Sequence, residues 1–103
     1  MDNISLKIDE LSEAFFDLDL VKDYFKQVEL INADEALLSL SDEVKKLQRM
    51  MTLNIRNEKL HADYKKQYEQ KLIEYNSHPY IVNYNYLKNE VEDLLNQMKK
   101  IIE

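Results

Sequence analysis

The chain has 103 residues, with one proline, no glycine and no cysteine. This length suits one domain, and the lack of cysteine excludes a disulfide framework, a thiolate nucleophile and any Cys-based zinc or iron–sulfur site of the chain's own. The net charge of −6 is uneven, because residues 1–43 hold 3 Lys and 12 acids (−9) whereas residues 44–79 hold 8 Lys or Arg and 4 acids (+4).

The residue types favour helices throughout. Many helices end at glycine, and tight hairpin turns use it for positive φ, so a chain without glycine is expected to be helical. Leu, Glu, Lys and Gln are abundant and have high helix propensity. We therefore expect an all-α protein, an antiparallel helical bundle in one domain over residues 1–103.

Two short helices are predicted first, over residues 3–17 and 20–31. A bend is expected at Asp17-Leu18-Asp19, where either aspartate can cap a new helix. Asn32 with Glu35 three residues later fits a capping box, so a third helix is predicted to begin near Ala33. The apolar stripes of the first two helices are Ile4, Ile8, Leu11, Phe15 and Leu18, then Val21, Tyr24, Phe25, Val28 and Ile31.

The third helix is predicted to be long, over residues 33–75, because no breaker interrupts it. At roughly 1.5 Å per residue it would span about 60 Å, whereas a compact domain of this size has a radius of gyration of about 13 Å. Its apolar surface would therefore need cover from another molecule. The seam changes phase after Met51, which indicates a stutter or a change of partner. Its residues are Leu37, Leu40, Val44, Leu47 and Met51, then Leu60, Tyr64, Tyr68, Leu72 and Tyr75.

The last helix, over residues 80–102, follows a turn at His78-Pro79. Proline cannot extend the preceding helix but suits the first turn of the next. Apolar residues then recur at steps of three and four, which is bundle or coiled-coil spacing. We interpret them as a seam for a dimer, a higher oligomer or a partner, and the tyrosines fit an intramolecular core equally well. The predicted seam is Tyr84, Leu87, Val91, Leu94, Leu95, Met98 and Ile101, flanked by Ile81 and Ile102.

A row of cations follows the predicted third helix, and two interpretations stay open for it. It is read as a docking stripe for a partner or for the acidic N-terminal segment, or as a contact for RNA phosphates. Protein contact is preferred, since a nucleic-acid module is usually basic overall and interleaves aromatics with its cations. The charged docking stripe is Lys45, Arg49, Arg56, Lys59 and Lys66.

No catalytic, metal or cofactor site is predicted. His61 and His78 lie on different elements without metal-ligand spacing; His61 is expected on the surface of the third helix and His78 at the turn. Acid pairs at helical spacing, Asp9 with Glu13 and Glu90 with Asp93, are read as solvated faces. The N-terminus lacks a basic segment, and no apolar run approaches the roughly 20 residues of a membrane span. We expect a cytoplasmic protein that is not an enzyme.

Three segments carry a resemblance to a known family: Asp19-Leu20-Val21-Lys22-Asp23-Tyr24, then Asn32-Ala33-Asp34-Glu35-Ala36 followed by Lys46-Leu47-Gln48, then His78-Pro79-Tyr80-Ile81-Val82-Asn83-Tyr84. In order and spacing they resemble the YlbF/YmcA-like family of bacterial regulatory proteins, over nearly the whole chain. The His-Pro turn with the helix after it is the most discriminating of the three.

The resemblance implies a small all-α protein of low-GC Gram-positive bacteria that acts by association, as a homodimer or higher oligomer or in mixed complexes with relatives and a YaaT-type partner. It implies roles in competence, sporulation, biofilm formation and ribonuclease Y-dependent mRNA processing. Some relatives have cysteines that help hold iron–sulfur clusters in the mixed complex, and this chain departs from them. The function expected is that of a non-enzymatic regulator or adaptor; the alternative is an RNA-contacting accessory subunit that uses the docking stripe.

Overall fold

The computed structural model describes the backbone of residues 3–102 and the side chains of residues 6–101. Within that range the chain forms five helices and no strand, which confirms the predicted all-α bundle class. No described residue has positive φ, as suits a chain without glycine. The helices are α1 (Asn3–Asp17), α2 (Asp19–Ala33), α3 (Glu35–Leu53), α4 (Glu58–Ser77) and α5 (Pro79–Ile102).

The chain divides into two compact units, which are described separately. Unit 1 comprises residues 1–29 and 83–103, and unit 2 comprises residues 30–82. The assignment of one domain to residues 1–103 stays a prediction.

Unit 1 is built around a small apolar core. Phe15 of α1, Val21 of α2 and Val91 of α5 are buried against one another. The predicted bend is confirmed, because α1 ends at Asp17 and α2 begins at Asp19. This sharp junction lets Phe15 of α1 and Val21 of α2 pack against the same helix, α5. Half-buried apolar side chains complete the core: Leu20, Tyr24, Leu94 and Met98.

Within unit 1, α2 and α5 run antiparallel. Val21 packs in one cluster with Val91, the ring of Tyr24 stacks on that of Tyr84, and Asn83 donates a hydrogen bond to Gln27. Residue numbers along α5 thus decrease as those along α2 increase.

In the apolar stripe of α1, the only residue whose side chain lies outside the described range is Ile4.

The prediction of one helix over residues 33–75 is wrong, because unit 2 contains two helices there. The chain leaves the helix after Leu53 and starts α4 at Glu58. Asn54 ends α3, and its side-chain amide donates to the Met50 carbonyl at 2.7 Å. Asn57 caps α4 by accepting a hydrogen bond from the Leu60 amide at 3.2 Å. Two asparagines therefore make the reversal that glycine and proline make in other chains.

The two helices of unit 2 form an antiparallel hairpin. His61 Nδ1 lies 2.9 Å from the Met51 carbonyl oxygen near the turn, and Lys71 Nζ lies 3.3 Å from Glu43 Oε2 further away from it. The phase change after Met51 therefore marks a reversal of the chain, in which α4 packs on α3. The expected rod of about 60 Å does not exist, and the argument for an uncovered rod falls with it.

The other junctions differ from the prediction at one end of α3 and agree at the start of α5. The predicted capping box at Asn32 is wrong, because α2 continues to Ala33 and Asp34 caps α3 by accepting from the Leu37 amide at 2.9 Å. The role of His78 at the turn is confirmed: its Nδ1 accepts from the Tyr80 amide at 3.0 Å. Ile81, just after this turn, is 3% exposed.

Candidate interaction surfaces

An open apolar groove lies in unit 1, where α1, α2 and α5 meet. It holds about 430 Å³, a volume in the range of sites that accept large apolar groups. Lys88 and Glu92, one helical turn apart on α5, complete its lining with exposed charged side chains. We call it the aromatic groove; its remaining lining residues are Phe15, Phe16, Val21, Tyr24, Phe25, Val91 and Leu95.

Aromatic rings form a connected series along this groove. Phe15 meets Phe16 edge to face at 5.2 Å between centroids, and Phe16 stacks on Phe25 at 6.2 Å. Tyr24 meets Phe25 edge to face at 5.4 Å and stacks on Tyr84 at 5.7 Å. Such pairs hold one another in place, so the groove presents aromatic surface that is already ordered.

The groove has a buried floor and exposed walls. Phe15, Val21 and Val91 belong to the core of unit 1. In contrast, Phe16 of α1 is 55% exposed and Phe25 of α2 is 48% exposed. Adjacent helix positions point about 100° apart, so Phe15 takes the core-facing position and Phe16 is left on the surface. The exposed walls are therefore apolar side chains that the fold itself leaves uncovered.

The electrostatics of unit 1 are acidic. Its residues, 1–29 and 83–103, hold 6 Lys against 12 Asp or Glu, so it carries the whole net charge of −6, while unit 2 holds 8 of each sign. On the groove, the hydrogen bond to Tyr84 raises the pKa of the Tyr24 phenol above its ordinary value of 10.0, and partial burial raises it further. The phenol is thus held in its neutral form.

Unit 2 exposes a second apolar feature at the turn of its hairpin. Leu53 is 78% exposed and Ile55 is 66% exposed. Arg49, Arg56 and Lys59 surround them in the sequence. We call these five residues the hairpin tip. It combines aliphatic side chains with a local excess of positive charge.

The predicted seam on α5 is divided between core and surface. Leu87 and Val91 are buried, and Leu94 and Met98 pack against the core of unit 1. Tyr84 is half-buried beside Tyr24. Leu95 and Ile101 are 46% and 71% exposed, and the side chain of Ile102 lies outside the described residues. The role of the seam as a partner surface stays a prediction. Leu95 and Ile101 are its most exposed described side chains.

The predicted docking stripe does not lie along one helix. Lys45 and Arg49 are on α3, Arg56 is in the turn, and Lys59 and Lys66 are on α4. All five are exposed, and among the described side chains the ion pairs within 4.0 Å involve only Lys71, with Glu43 and Glu74. The five cations are therefore distributed over two antiparallel helices and the turn between them. Their role as a docking stripe stays a prediction.

Both histidines contact neighbouring groups of the fold. His61 lies on α4, half-buried, with its ring directed at the Met51 carbonyl, so its placement on the open surface of a third helix is wrong. His78 packs edge to face on Tyr80 at 5.1 Å. Among the described residues, there is no group of three or more His, Asp or Glu side chains that could hold a metal ion.

The aromatic groove was missed by the sequence reasoning, which assigned Phe15 and Phe25 to apolar stripes and did not consider Phe16. The available signal was the Phe15-Phe16 pair, because two adjacent rings cannot both face one core.

None of the helices within the described residues has both the length and the apolar character needed to cross a membrane.

A family model described as "Control of competence regulator ComK, YlbF/YmcA" matches residues 4–103. No curated protein and no solved structure matches the chain.

Proposed function

The chain belongs to the YlbF/YmcA family, whose description is control of the competence regulator ComK, and from this membership we propose that it is a non-enzymatic adaptor that binds partner proteins through helix packing. The family is regulatory, so a regulatory role is the starting point. The adaptor mechanism is the step that we add.

The observation that carries this proposal is the amount of apolar surface that the chain leaves exposed. Among the described side chains, six apolar residues are buried, whereas sixteen large apolar ones are exposed. Exposed apolar area costs about 25 cal/mol per Å², and contiguous apolar patches on monomers usually mark contact surfaces. The aromatic groove is such a patch, with ordered aromatic walls of the kind that dominate protein interfaces.

We propose that the partners are those that the family resemblance implies. These are a second copy of the chain, related family members and a YaaT-type protein. The processes are then competence, sporulation, biofilm formation and ribonuclease Y-dependent mRNA processing. An adaptor of this kind alters the activity of its partners by holding them together, and it needs no catalytic group of its own.

The iron–sulfur cluster that some relatives help to hold does not fit the residues of this chain. Such clusters are held by cysteine thiolates, and the chain has no cysteine. Any cluster in a mixed complex would take its thiolates from other subunits. We propose that this chain contributes packing surface only.

The test is complementation of a strain that lacks the chain, read out with a ComK-dependent reporter. A groove variant, Phe16→Ala with Phe25→Ala, should fail to restore the reporter and should no longer co-purify with the YaaT-type partner, because its groove walls are gone. Tyr86→Ala removes another exposed ring, 62% exposed and outside the groove, and should behave as wild type. Full complementation by the groove variant at equal protein level would overturn the proposal.

The RNA-contacting alternative rests on the exposure of all five docking-stripe cations. Its test is an anisotropy titration with single-stranded RNA at low salt, comparing wild type with Arg49→Glu, Arg56→Glu and Lys59→Glu combined. Binding that the triple variant loses, and that weakens as salt rises, would support the alternative. The absence of a shift at micromolar protein would remove it.

A further inference from the structure

The hairpin tip is an ordered structure that holds two aliphatic side chains outward. The Asn54 side chain donates to the Met50 carbonyl, the Ile55 amide donates to the Thr52 carbonyl at 3.4 Å, and the Asn57 amide donates to the Asn54 carbonyl at 3.0 Å. These bonds hold the backbone between α3 and α4 in one turn. A group that is ordered before binding loses less conformational entropy on binding.

The charge around the tip is opposite to the charge of unit 1. Residues 48–60 hold three cations and one acid, Glu58, for a net charge of +2. Unit 1, which contains the aromatic groove, has a net charge of −6. Opposite potentials favour encounter between the two surfaces, while two copies of unit 1 repel each other, as do two tips.

We propose that the hairpin tip of one chain binds in the aromatic groove of a second copy. Leu53 and Ile55 pack on the exposed faces of the stacked Phe16 and Phe25 rings, and the cations beside them face the acidic surface of unit 1. This names the partner for the groove in the adaptor function proposed above, and it rests on that function.

The same chemistry does not favour a lipid surface at the tip. Two aliphatic side chains give little insertion energy, and the three cations of the tip are fewer than the clusters of four or more that bind anionic membranes. The aromatic groove offers the tip an apolar site and an acidic setting together. A protein groove is therefore the better match.

The proposed contact joins unlike surfaces, a tip on one copy and a groove on the other. Two copies joined by a single contact keep one free tip and one free groove, which either bind each other in a two-fold dimer or bind further copies in rings or open chains. A dimer through like patches would instead need the same patch intact on both copies. Mixing a groove variant with a tip variant therefore distinguishes the two modes of association.

The experiment uses sedimentation velocity on the purified, nuclease-treated chain. The groove variant (Phe16→Ala with Phe25→Ala) and a tip variant (Leu53→Ser with Ile55→Ser) should each sediment as a monomer of 12.4 kDa, with a Kd raised at least roughly tenfold. An equimolar mixture of the two should form a complex that stops at two chains, because one intact tip then meets one intact groove. Circular dichroism should show both variants folded, since the replaced side chains are exposed.

The matched control for the tip is Ile73→Ser. Ile73 and Ile55 are both 66% exposed, and Ile73 lies within α4, away from the turn. Its replacement should leave association unchanged, and Tyr86→Ala should do the same for the groove. Higher salt should weaken wild-type association, because the attraction between tip and unit 1 is screened.

Four results would overturn the inference: a wild-type chain that is monomeric at every concentration, a mixture of the variants that stays monomeric, controls that weaken association as much as the variants do, or association that nuclease treatment abolishes. The last would assign the tip to a nucleic acid. A monomeric wild type whose groove variant still loses the YaaT-type partner would reject self-binding and leave the adaptor function standing.

Discussion

The Asn83 side-chain amide donates a hydrogen bond to Gln27 Oε1 at 2.8 Å and so joins α5 to α2 inside unit 1. Gln27 is 5% exposed and is the only buried polar residue among the described side chains. A buried amide must keep hydrogen-bond partners, because its desolvation is otherwise uncompensated. The pair therefore ties the register of two antiparallel helices to a specific polar contact.

Asn83→Ala should lower the free energy of unfolding by about 1–3 kcal/mol, because the Gln27 amide oxygen loses this donor. Asn85→Ala is the matched control: it makes the same change of residue type on the same helix, at an exposed position. Urea unfolding followed by circular dichroism measures both. Equal stability of the two variants would show that the bond contributes nothing.

The raised pKa of Tyr24 predicts a loss of stability at alkaline pH. The unfolded chain releases this proton near the ordinary pKa of 10.0, whereas the folded chain retains it to higher pH. Above about pH 10 the folded state therefore binds more protons, and the free energy of unfolding falls as the pH rises. The contribution is fully present below about pH 10 and is lost as the pH passes through the raised pKa.

Tyr24→Phe should make this alkaline fall in stability shallower, because the titrating phenol is gone. The measurement is urea unfolding at a series of pH values from 7 to about 11. Tyr86→Phe removes an exposed hydroxyl from the same unit and serves as the control. A Tyr24→Phe profile that coincides with wild type would contradict the assigned role of the hydrogen bond to Tyr84.

The cap at Asn57 predicts a local effect on the hairpin of unit 2. Asn57→Ala removes the acceptor for the Leu60 amide and should cost about 0.5–2 kcal/mol in unfolding free energy. Asn57→Asp keeps a capping oxygen and should retain most of the stability. Thermal unfolding of the three proteins compares them; if the alanine variant melts with wild type, the cap has no energetic role.

Adjacent leucines of α3 predict a contrast in packing. Leu37 is 2% exposed, so Leu37→Ala should cost about 2–5 kcal/mol through lost burial and the cavity left behind. Leu38 is 42% exposed, and Leu38→Ala should change stability by only about 0.5 kcal/mol. The urea concentrations at the midpoint of unfolding measure the difference, provided that the slope of the transition is unchanged. Similar costs at both sites would contradict the burial of Leu37.

The sequence alone determined the secondary-structure class and two of the junctions. A chain without glycine, rich in helix formers and with apolar residues at steps of three and four, has no competitive alternative to helices. The bend at Leu18 and the turn at Pro79 could also be predicted from the sequence. An aspartate that caps a helix and a proline both act through local backbone chemistry.

Only the tertiary structure decided where the long apolar pattern reverses and which of its residues face another molecule. Asn54 and Asn57 suit a helix interior poorly but do not forbid it, so local preference left the helix uninterrupted. Packing of α4 on α3 makes the reversal favourable, and that contact joins residues far apart in the sequence. In the same way, periodicity placed the α5 seam on one helical face, but burial of Val91 and exposure of Phe16 depend on how three helices share one core.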